Sequence, residues 1–283
     1  IYNGASRLTL VPGARLDLDT SFGVYPTPKM GLRYDPSDAV AIRASYGWGY
    51  RAPVFKELLL LFENPGAGYV VEGNPELDPE TSQSVQLGLE VDPVPWLWVS
   101  SNAFYNQVDD LISIGTLAEA EAGEPTRYGY VNIASATTRG VEAATRVELA
   151  ELASVHLSYT LTDSIDQELD RPLEGRALHR ATAKLTGGPT ASGLHGLVRA
   201  GYVGSRPFYI DTDNDQIEET IAIDPYVTLD AHIAKHFGSV LEIFAGADNL
   251  LNVGDASFTQ VIPRFFYLGL TGRFAKAADP SPS

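Results

Sequence analysis

The sequence predicts an all-β fold: an antiparallel transmembrane β-barrel with short turns at one end and long loops at the other. Three observations carry this. Apolar and polar residues alternate with a period of two from end to end, where a helix would repeat every 3.6 residues. The connections between these runs are alternately short and long, the pattern of an outer-membrane barrel with short periplasmic turns and long extracellular loops. The longest uninterrupted apolar run, Leu58 to Phe62, falls far short of the roughly 20 residues of a membrane-spanning helix, whereas a tilted barrel strand crosses with about 10.

Twelve strands are expected, near 5–19, 28–34, 39–50, 83–91, 97–114, 128–149, 154–163, 179–186, 194–206, 225–236, 240–250 and 263–274. In the third, Ile42, Ala44, Tyr46 and Trp48 alternate with Arg43, Ser45, Gly47 and Gly49. In the fourth, Val85, Leu87, Leu89 and Val91 alternate with Gln86, Gly88 and Glu90. The end of the sixth sets Val141, Ala143, Thr145 and Val147 against Glu142, Ala144, Arg146 and Glu148. The seventh sets Val155, Leu157, Tyr159 and Leu161 against His156, Ser158, Thr160 and Thr162. In the tenth, Val227, Leu229, Ala231 and Ile233 share one face, and Thr228, Asp230, His232 and His236 share the other. Leu58 to Phe62 amounts to one short helical turn at most.

Short connections fall at Asp35-Pro36-Ser37-Asp38, Asp92-Pro93-Val94-Pro95, Ala150-Glu151, Gly187-Gly188-Pro189 with Gly193, and Gly238-Ser239, all turn-forming residues. Long ones are expected over 21–27, 51–82, 115–127, 164–178, 207–223 and 252–262. Aromatics gather near strand ends, as an interfacial belt requires: Trp48 and Tyr50, Trp96 and Trp98, Tyr128 and Tyr130, and Phe265, Phe266 and Tyr267. Alternating strands with aromatic ends also describe a large soluble β-protein, but such a protein has no reason to keep every second connection short.

Composition narrows the function classes. With 20 Lys plus Arg against 36 Asp plus Glu, the net charge is −16, which makes the sequence a poor candidate for gripping a nucleic-acid backbone. The absence of cysteine excludes disulfides, thiolate metal sites and cysteine nucleophiles. No charged segment leading into an apolar stretch opens the sequence at Ile1, so either a targeting segment has been removed or the sequence is a piece of something longer.

Several motifs then carry a family resemblance. They are Leu10-Val11-Pro12-Gly13-Ala14-Arg15 followed by Asp17; Ser45-Tyr46-Gly47-Trp48-Gly49-Tyr50-Arg51-Ala52-Pro53 followed by Phe55-Lys56-Glu57-Leu58; and Gly73-Asn74-Pro75-Glu76-Leu77-Asp78-Pro79-Glu80-Thr81-Ser82. Further along come Phe104-Tyr105-Asn106 with Asp110-Leu111-Ile112, Thr138-Arg139-Gly140-Val141-Glu142, Leu173-Glu174-Gly175-Arg176 with His179, and Asn249-Leu250-Leu251-Asn252. In this order, and over nearly the whole sequence, they resemble the C-terminal part of the barrel of a TonB-dependent outer-membrane receptor, the family that imports siderophores, haem and vitamin B12.

The resemblance implies about the last twelve strands of a 22-stranded, plugged barrel over residues 1–274, with a disordered tail over 275–283. Roughly ten strands, the plug and the energy-coupling TonB box would then lie elsewhere, so that this is a fragment or one chain of a split receptor. It further implies a Gram-negative outer-membrane location and no enzymatic activity. The implied partners are a metal-chelate ligand, TonB–ExbB–ExbD acting through the plug, membrane lipid and lipopolysaccharide, and the barrel-assembly machinery. Phe274 stands where the family's C-terminal aromatic assembly signal would be, although Gly272 replaces the bulky residue expected two before it.

Under this reading, ligand contacts come from loop arginines, which hold anionic groups in a planar fork, and from aromatics that stack on planar ligands. The candidates are Arg51, Tyr69, Tyr128, Arg176, Arg206, Phe208 and Tyr209; the bland alternative for each is a loop-structuring residue or a lipopolysaccharide contact. Asp211, Asp213 and Asp215 form the densest acidic cluster and present calcium-type oxygen ligands, but Gln216 and Ala222 break the EF-hand template, so a solvated acidic loop is the simpler reading. No other cofactor is expected. His232 and His236 share a strand face but lie about 13 Å apart along it, too far to share a metal unaided. His156 and Ser158 are spaced as in an outer-membrane phospholipase, but they should face the lumen and no Asn-Gly-Arg sequence accompanies them. Two alternatives remain: a complete twelve-stranded barrel acting as pore or phospholipase, which requires the first and last strands to pair, and a soluble β-rich binding module, which requires Val227, Leu229 and Ile233 to pack against protein.

Overall fold

The computed structural model describes residues 7–64, 68–118, 125–150, 152–188, 192–210, 219–254 and 261–272. The described elements are β1 (Leu8–Asp19), β2 (Gly23–Ser37), β3 (Val40–Arg51), α1 (Phe55–Leu59), β4 (Leu61–Asn64), β5 (Tyr69–Glu72), β6 (Glu80–Val94), β7 (Leu97–Ala118), β8 (Thr126–Leu149), β9 (Ala153–Asp166), β10 (Arg171–Pro172), β11 (His179–Gly187), β12 (Leu194–Val203), β13 (Arg206–Ile210), β14 (Glu219–Ile223), β15 (Tyr226–Phe237), β16 (Leu241–Asp248) and β17 (Phe265–Gly272).

Twelve of these strands follow one hydrogen-bonded order, β1-β2-β3-β6-β7-β8-β9-β11-β12-β15-β16-β17. They are the twelve strands the alternation predicts. The order is an open path with β1 and β17 at its two ends; among the described residues it holds no β1–β17 ladder of the kind a complete twelve-stranded pore requires. The chain divides into two compact units, one of Ile1–Glu90, Ser101–Val141 and Thr162–Arg176, the other of Val91–Ser100, Glu142–Leu161 and Ala177–Ser283.

In the first unit, β1 pairs antiparallel with β2 from Leu8↔Tyr34 to Asp19↔Gly23, and β2 pairs antiparallel with β3. Here one expectation is overturned. The connection expected to be long over 21–27 is a tight turn, with β2 already running from Gly23. The cause is Asp19, whose Oδ1 accepts hydrogen bonds from the backbone N–H of Ser21 (2.7 Å) and Phe22 (3.1 Å) and closes the turn locally. The short helical turn is also displaced: α1 spans Phe55–Leu59, while Leu61 and Phe62 belong to β4.

In the second unit, β11 pairs with β9 and with β12, β12 with β15, β15 with β16, and β16 with β17, all antiparallel. Register sorts the side chains into two faces. Leu157 lies opposite Ala183, Leu185 opposite Val198, Val198 opposite Ala231, Ile233 opposite Ala245 and Ala245 opposite Leu268. The other face is polar. There Lys184 stands opposite both His156 and Arg199, and Arg199 pairs with Asp230 at 2.7 Å. Asp230, buried, also accepts the Asn249 backbone N–H at 2.9 Å.

The apolar face is uncovered: Val227, Leu157 and Ile233 are 41%, 44% and 51% exposed. Among the described residues the buried apolar set is Ala41, Leu77, Tyr130, Ala136, Ala177, Ala234 and Ala247, and no large side chain is completely buried. A soluble β-domain of this size buries its large apolar residues against a second layer. Here they stand in rows on a bare surface, the arrangement suited to a hydrocarbon exterior. The soluble-module alternative fails on that observation.

Candidate ligand-binding site

The long-connection end of the first unit is built on Arg51, the last residue of β3. Its Nε and Nη2 donate to Glu80 at 2.6 and 2.5 Å, and its Nη1 donates to both Glu57 carboxylate oxygens at 2.9 and 3.0 Å. Glu57 also accepts the backbone N–H of Val54 at 2.8 Å, fastening the start of α1. Glu80 accepts the backbone N–H of Ile112 at 2.9 Å. Ile112 is the sixteenth residue of the 22-residue strand β7, well past the ten or so needed to cross a bilayer, so the cluster lies beyond the apolar band. Burial pushes the Glu80 carboxyl up, but hydrogen bonds from Arg51 and the Ile112 amide outweigh it, leaving it below its ordinary value.

The Gly-Asn-Pro loop packs on α1. Gly73 N–H donates to the Leu60 carbonyl at 2.6 Å and Asn74 N–H to the Glu57 carbonyl at 2.8 Å. A Cβ on Gly73 would stand 2.5 Å from the backbone nitrogens of Leu59 and Leu60, so only glycine permits this approach. Leu77 is 2% exposed beneath the loop. Asn132 on β8 holds the loop from the other side, accepting from Asp78 N–H (2.9 Å) and donating to the carbonyls of Asp78 (2.9 Å) and Asp110 (2.7 Å).

β5 runs parallel to the start of β8, with Tyr69 opposite Thr126 and Val71 opposite Tyr128. Arg127 grips Glu72 through two hydrogen bonds of 2.9 and 2.7 Å. This register brings two of the expected contact residues together: Tyr69 and Tyr128 meet edge to face with ring centroids 6.2 Å apart, and the Phe62 ring lies 6.1 Å from that of Tyr69. Tyr69 and Tyr128 are half-buried. Arg51, named for the same role, is committed to Glu57 and Glu80, and Arg176 is exposed after β10.

In the second unit the β12–β15 connection forms a separate hairpin, β13–β14, with Arg206 opposite Ile223, Phe208 opposite Ile221 and Tyr209 opposite Thr220. The Arg206 guanidinium sits 5.5 Å from the Tyr226 ring centroid. Its Nε and Nη2 atoms are buried and make no hydrogen bond among the described residues. Burying guanidinium nitrogens without hydrogen bonds carries a free-energy cost. Phe208 and Tyr209 are half-buried on the same hairpin. Asp211, Asp213 and Asp215, and likewise Phe274 and the tail 275–283, lie outside the described residues.

Sequence reasoning missed the supports of this end: Glu57, Glu80, Asn132 and Glu72 act on partners 6, 29, 54 and 55 residues away. The adjoining motif residues marked the neighbourhood, but nothing local encodes the pairings.

Three comparisons bear on the chain. A family model described as "TonB dependent receptor-like, beta-barrel" matches residues 2–250. The vitamin B12 transporter BtuB of Vibrio vulnificus is 28% identical over 245 residues, covering 87% of this chain and 36% of that protein. An iron-regulated outer membrane virulence protein of Vibrio cholerae is 29% identical over 191 residues, covering 64% of this chain and 29% of that protein. Among solved structures, a ferric enterobactin receptor of Pseudomonas aeruginosa in complex with enterobactin superimposes with a TM-score of 0.77 at 22% identity, covering 94% of this chain and 43% of that one. The chain thus spans about a third of the length of these two relatives.

Proposed function

Because this chain belongs to the TonB dependent receptor-like β-barrel family, we propose that it forms the C-terminal wall, about the last twelve of 22 strands, of a Gram-negative outer-membrane importer of a scarce metal chelate. A ferric siderophore is the favoured ligand. The carrying observation is Arg206, whose buried Nε and Nη2 have no partner among the described residues while its guanidinium stacks over Tyr226. Catecholate or carboxylate oxygens of a chelate would complete it, with charge-assisted hydrogen bonds about twice as strong as neutral ones. Tyr69 and Tyr128 offer faces and edges to planar ligand groups. The iron-regulated relative supports the iron reading.

Haem is disfavoured because the one histidine at a long connection, His179, is engaged: its Nδ1 lies 2.7 Å from the Tyr159 hydroxyl and the rings stack. Cobalamin is the second reading, favoured by the match to a vitamin B12 transporter over 87% of the chain. Transport would break no covalent bond. The ligand would bind at the long-loop end, and TonB–ExbB–ExbD, acting on a plug, would drive it inward. Membrane lipid and lipopolysaccharide would face the apolar rows, and the assembly machinery would insert the strands.

Deleting the gene for the full receptor and restoring it tests this. With ferric siderophores, haem or vitamin B12 supplied in turn as the sole source, growth should be lost on a ferric siderophore and return on complementation. Loss on vitamin B12 alone would transfer the reading to cobalamin, and unchanged growth and uptake on every source would overturn import.

A further inference from the structure

The short-turn end of the second unit brings together three side chains that the ligand site does not use. His195 is the second residue of β12, His236 the penultimate residue of β15 and Glu242 the second residue of β16. Register joins them: β12 pairs with β15 so that His195 stands opposite Ala234, two residues from His236, and His236 stands directly opposite Glu242. The two imidazoles stack with centroids 4.8 Å apart and planes 24° apart. His236 Nε2 lies 3.1 Å from a Glu242 carboxylate oxygen. One donor atom from each residue falls within 4.8 Å of the others.

Gly193 makes the approach possible. Its φ is +64°, and a Cβ there would meet the His236 carbonyl oxygen at 2.9 Å. Its own carbonyl accepts the His236 backbone N–H at 2.8 Å. His236 and Glu242 are half-buried and His195 is more open to solvent, and a cavity of about 90 Å³ lined by His236, Gly238, Glu242 and Thr271 adjoins them.

The geometry points to a divalent transition-metal site made by His195, His236 and Glu242, clipping β12, β15 and β16 together at their short-turn ends. Donors about 2.0–2.1 Å from a tetrahedral metal lie about 3.3 Å from one another, close to the 3.1 Å separating His236 from Glu242. The widest pair, at 4.8 Å, closes with a modest rotation of a half-exposed ring. Two imidazoles and one carboxylate are borderline ligands that select copper, zinc or nickel over calcium or magnesium. Three protein ligands leave a fourth position open to water. The alternative is a stacked ring pair and an ion pair that only brace the turns.

The test uses the full receptor in detergent micelles, stripped with EDTA and titrated with Cu²⁺. One saturable Cu²⁺ per chain is expected, with an electron paramagnetic resonance pattern showing two nitrogen ligands. His195→Phe and His236→Phe keep an aromatic ring for the stack but should each weaken binding at least tenfold and remove one nitrogen. Glu242→Gln should weaken binding without changing the nitrogen count. His156→Phe, outside the cluster, should change neither. Heat-modifiable migration on gels reports folding of each variant, and Glu242→Gln carries the test if the histidine variants do not fold. No saturable binding by the wild type, wild-type affinity in the cluster variants, or equal competition by Ca²⁺ would overturn the site.

Discussion

Replacing Glu80 by alanine should loosen the long-connection end of the first unit without unfolding the sheet. Glu80 is the one acceptor shared by Arg51 and the Ile112 backbone N–H, and its side chain is 13% exposed. Removal leaves that part-buried amide unpaired, a cost of about 1–2 kcal/mol. Losing two charge-assisted bonds to Arg51 adds about 1 kcal/mol, discounted because the Arg51 side chain is 41% exposed and retains Glu57. The sum, about 2–3 kcal/mol, corresponds to about a 30- to 150-fold loss of protection. Hydrogen exchange of the β7 peptide containing Ile112, in the full receptor, reads it directly. The same contacts set a pH dependence. Because the Glu80 carboxyl is held below its ordinary value, its stabilisation is present above the unfolded value of about 4.3 and is lost as pH falls through the lower folded value. Protection at Ile112, corrected for intrinsic exchange, should therefore fall on acidification in the wild type and stay flat in the variant. Exchange at Ile112 within threefold of wild type after Glu80→Ala would refute the assignment of this carboxylate as the support.

Two further substitutions separate architecture from binding. Gly73→Ala drives a Cβ against the Leu58–Leu60 backbone, a clash that no rotamer relieves, so limited proteolysis should cut the 51–82 connection several times faster while the sheet's circular dichroism is unchanged. Arg206→Ala removes a guanidinium whose buried Nε and Nη2 make no hydrogen bond among the described residues; thermal stability of the apo protein should hold or rise, while ferric-siderophore affinity falls at least tenfold, and a drop in stability with affinity intact would reverse that role.

The twelve strands were legible in the sequence because each is a local statement. Period-two alternation fixes which residues share a face, and Asp-Pro, Gly-Gly and Gly-Ser pairs place the reversals. The bare apolar face followed from the same rows, since Leu157 or Ile233 can be read as outward without knowing what it meets. The β1–β2 connection was misjudged because its length depends on one carboxylate, Asp19, folding back on the next amides.

What tertiary structure decided is everything that depends on which strand lies beside which, and in what register. Tyr69 and Tyr128 become neighbours only because β5 pairs parallel with β8. Arg51 is bound to carboxylates by chain reversals that carry Glu57 and Glu80 back to it, while Arg206 is left over an aromatic ring with its Nε and Nη2 buried and without an acceptor among the described residues. His195 and His236 are 41 positions apart in sequence and 4.8 Å apart as rings, because a pairing offset of one residue would have turned one of them to the opposite face. Alternation is encoded residue by residue along the strand; juxtaposition is a property of the ladder, and no single strand carries it.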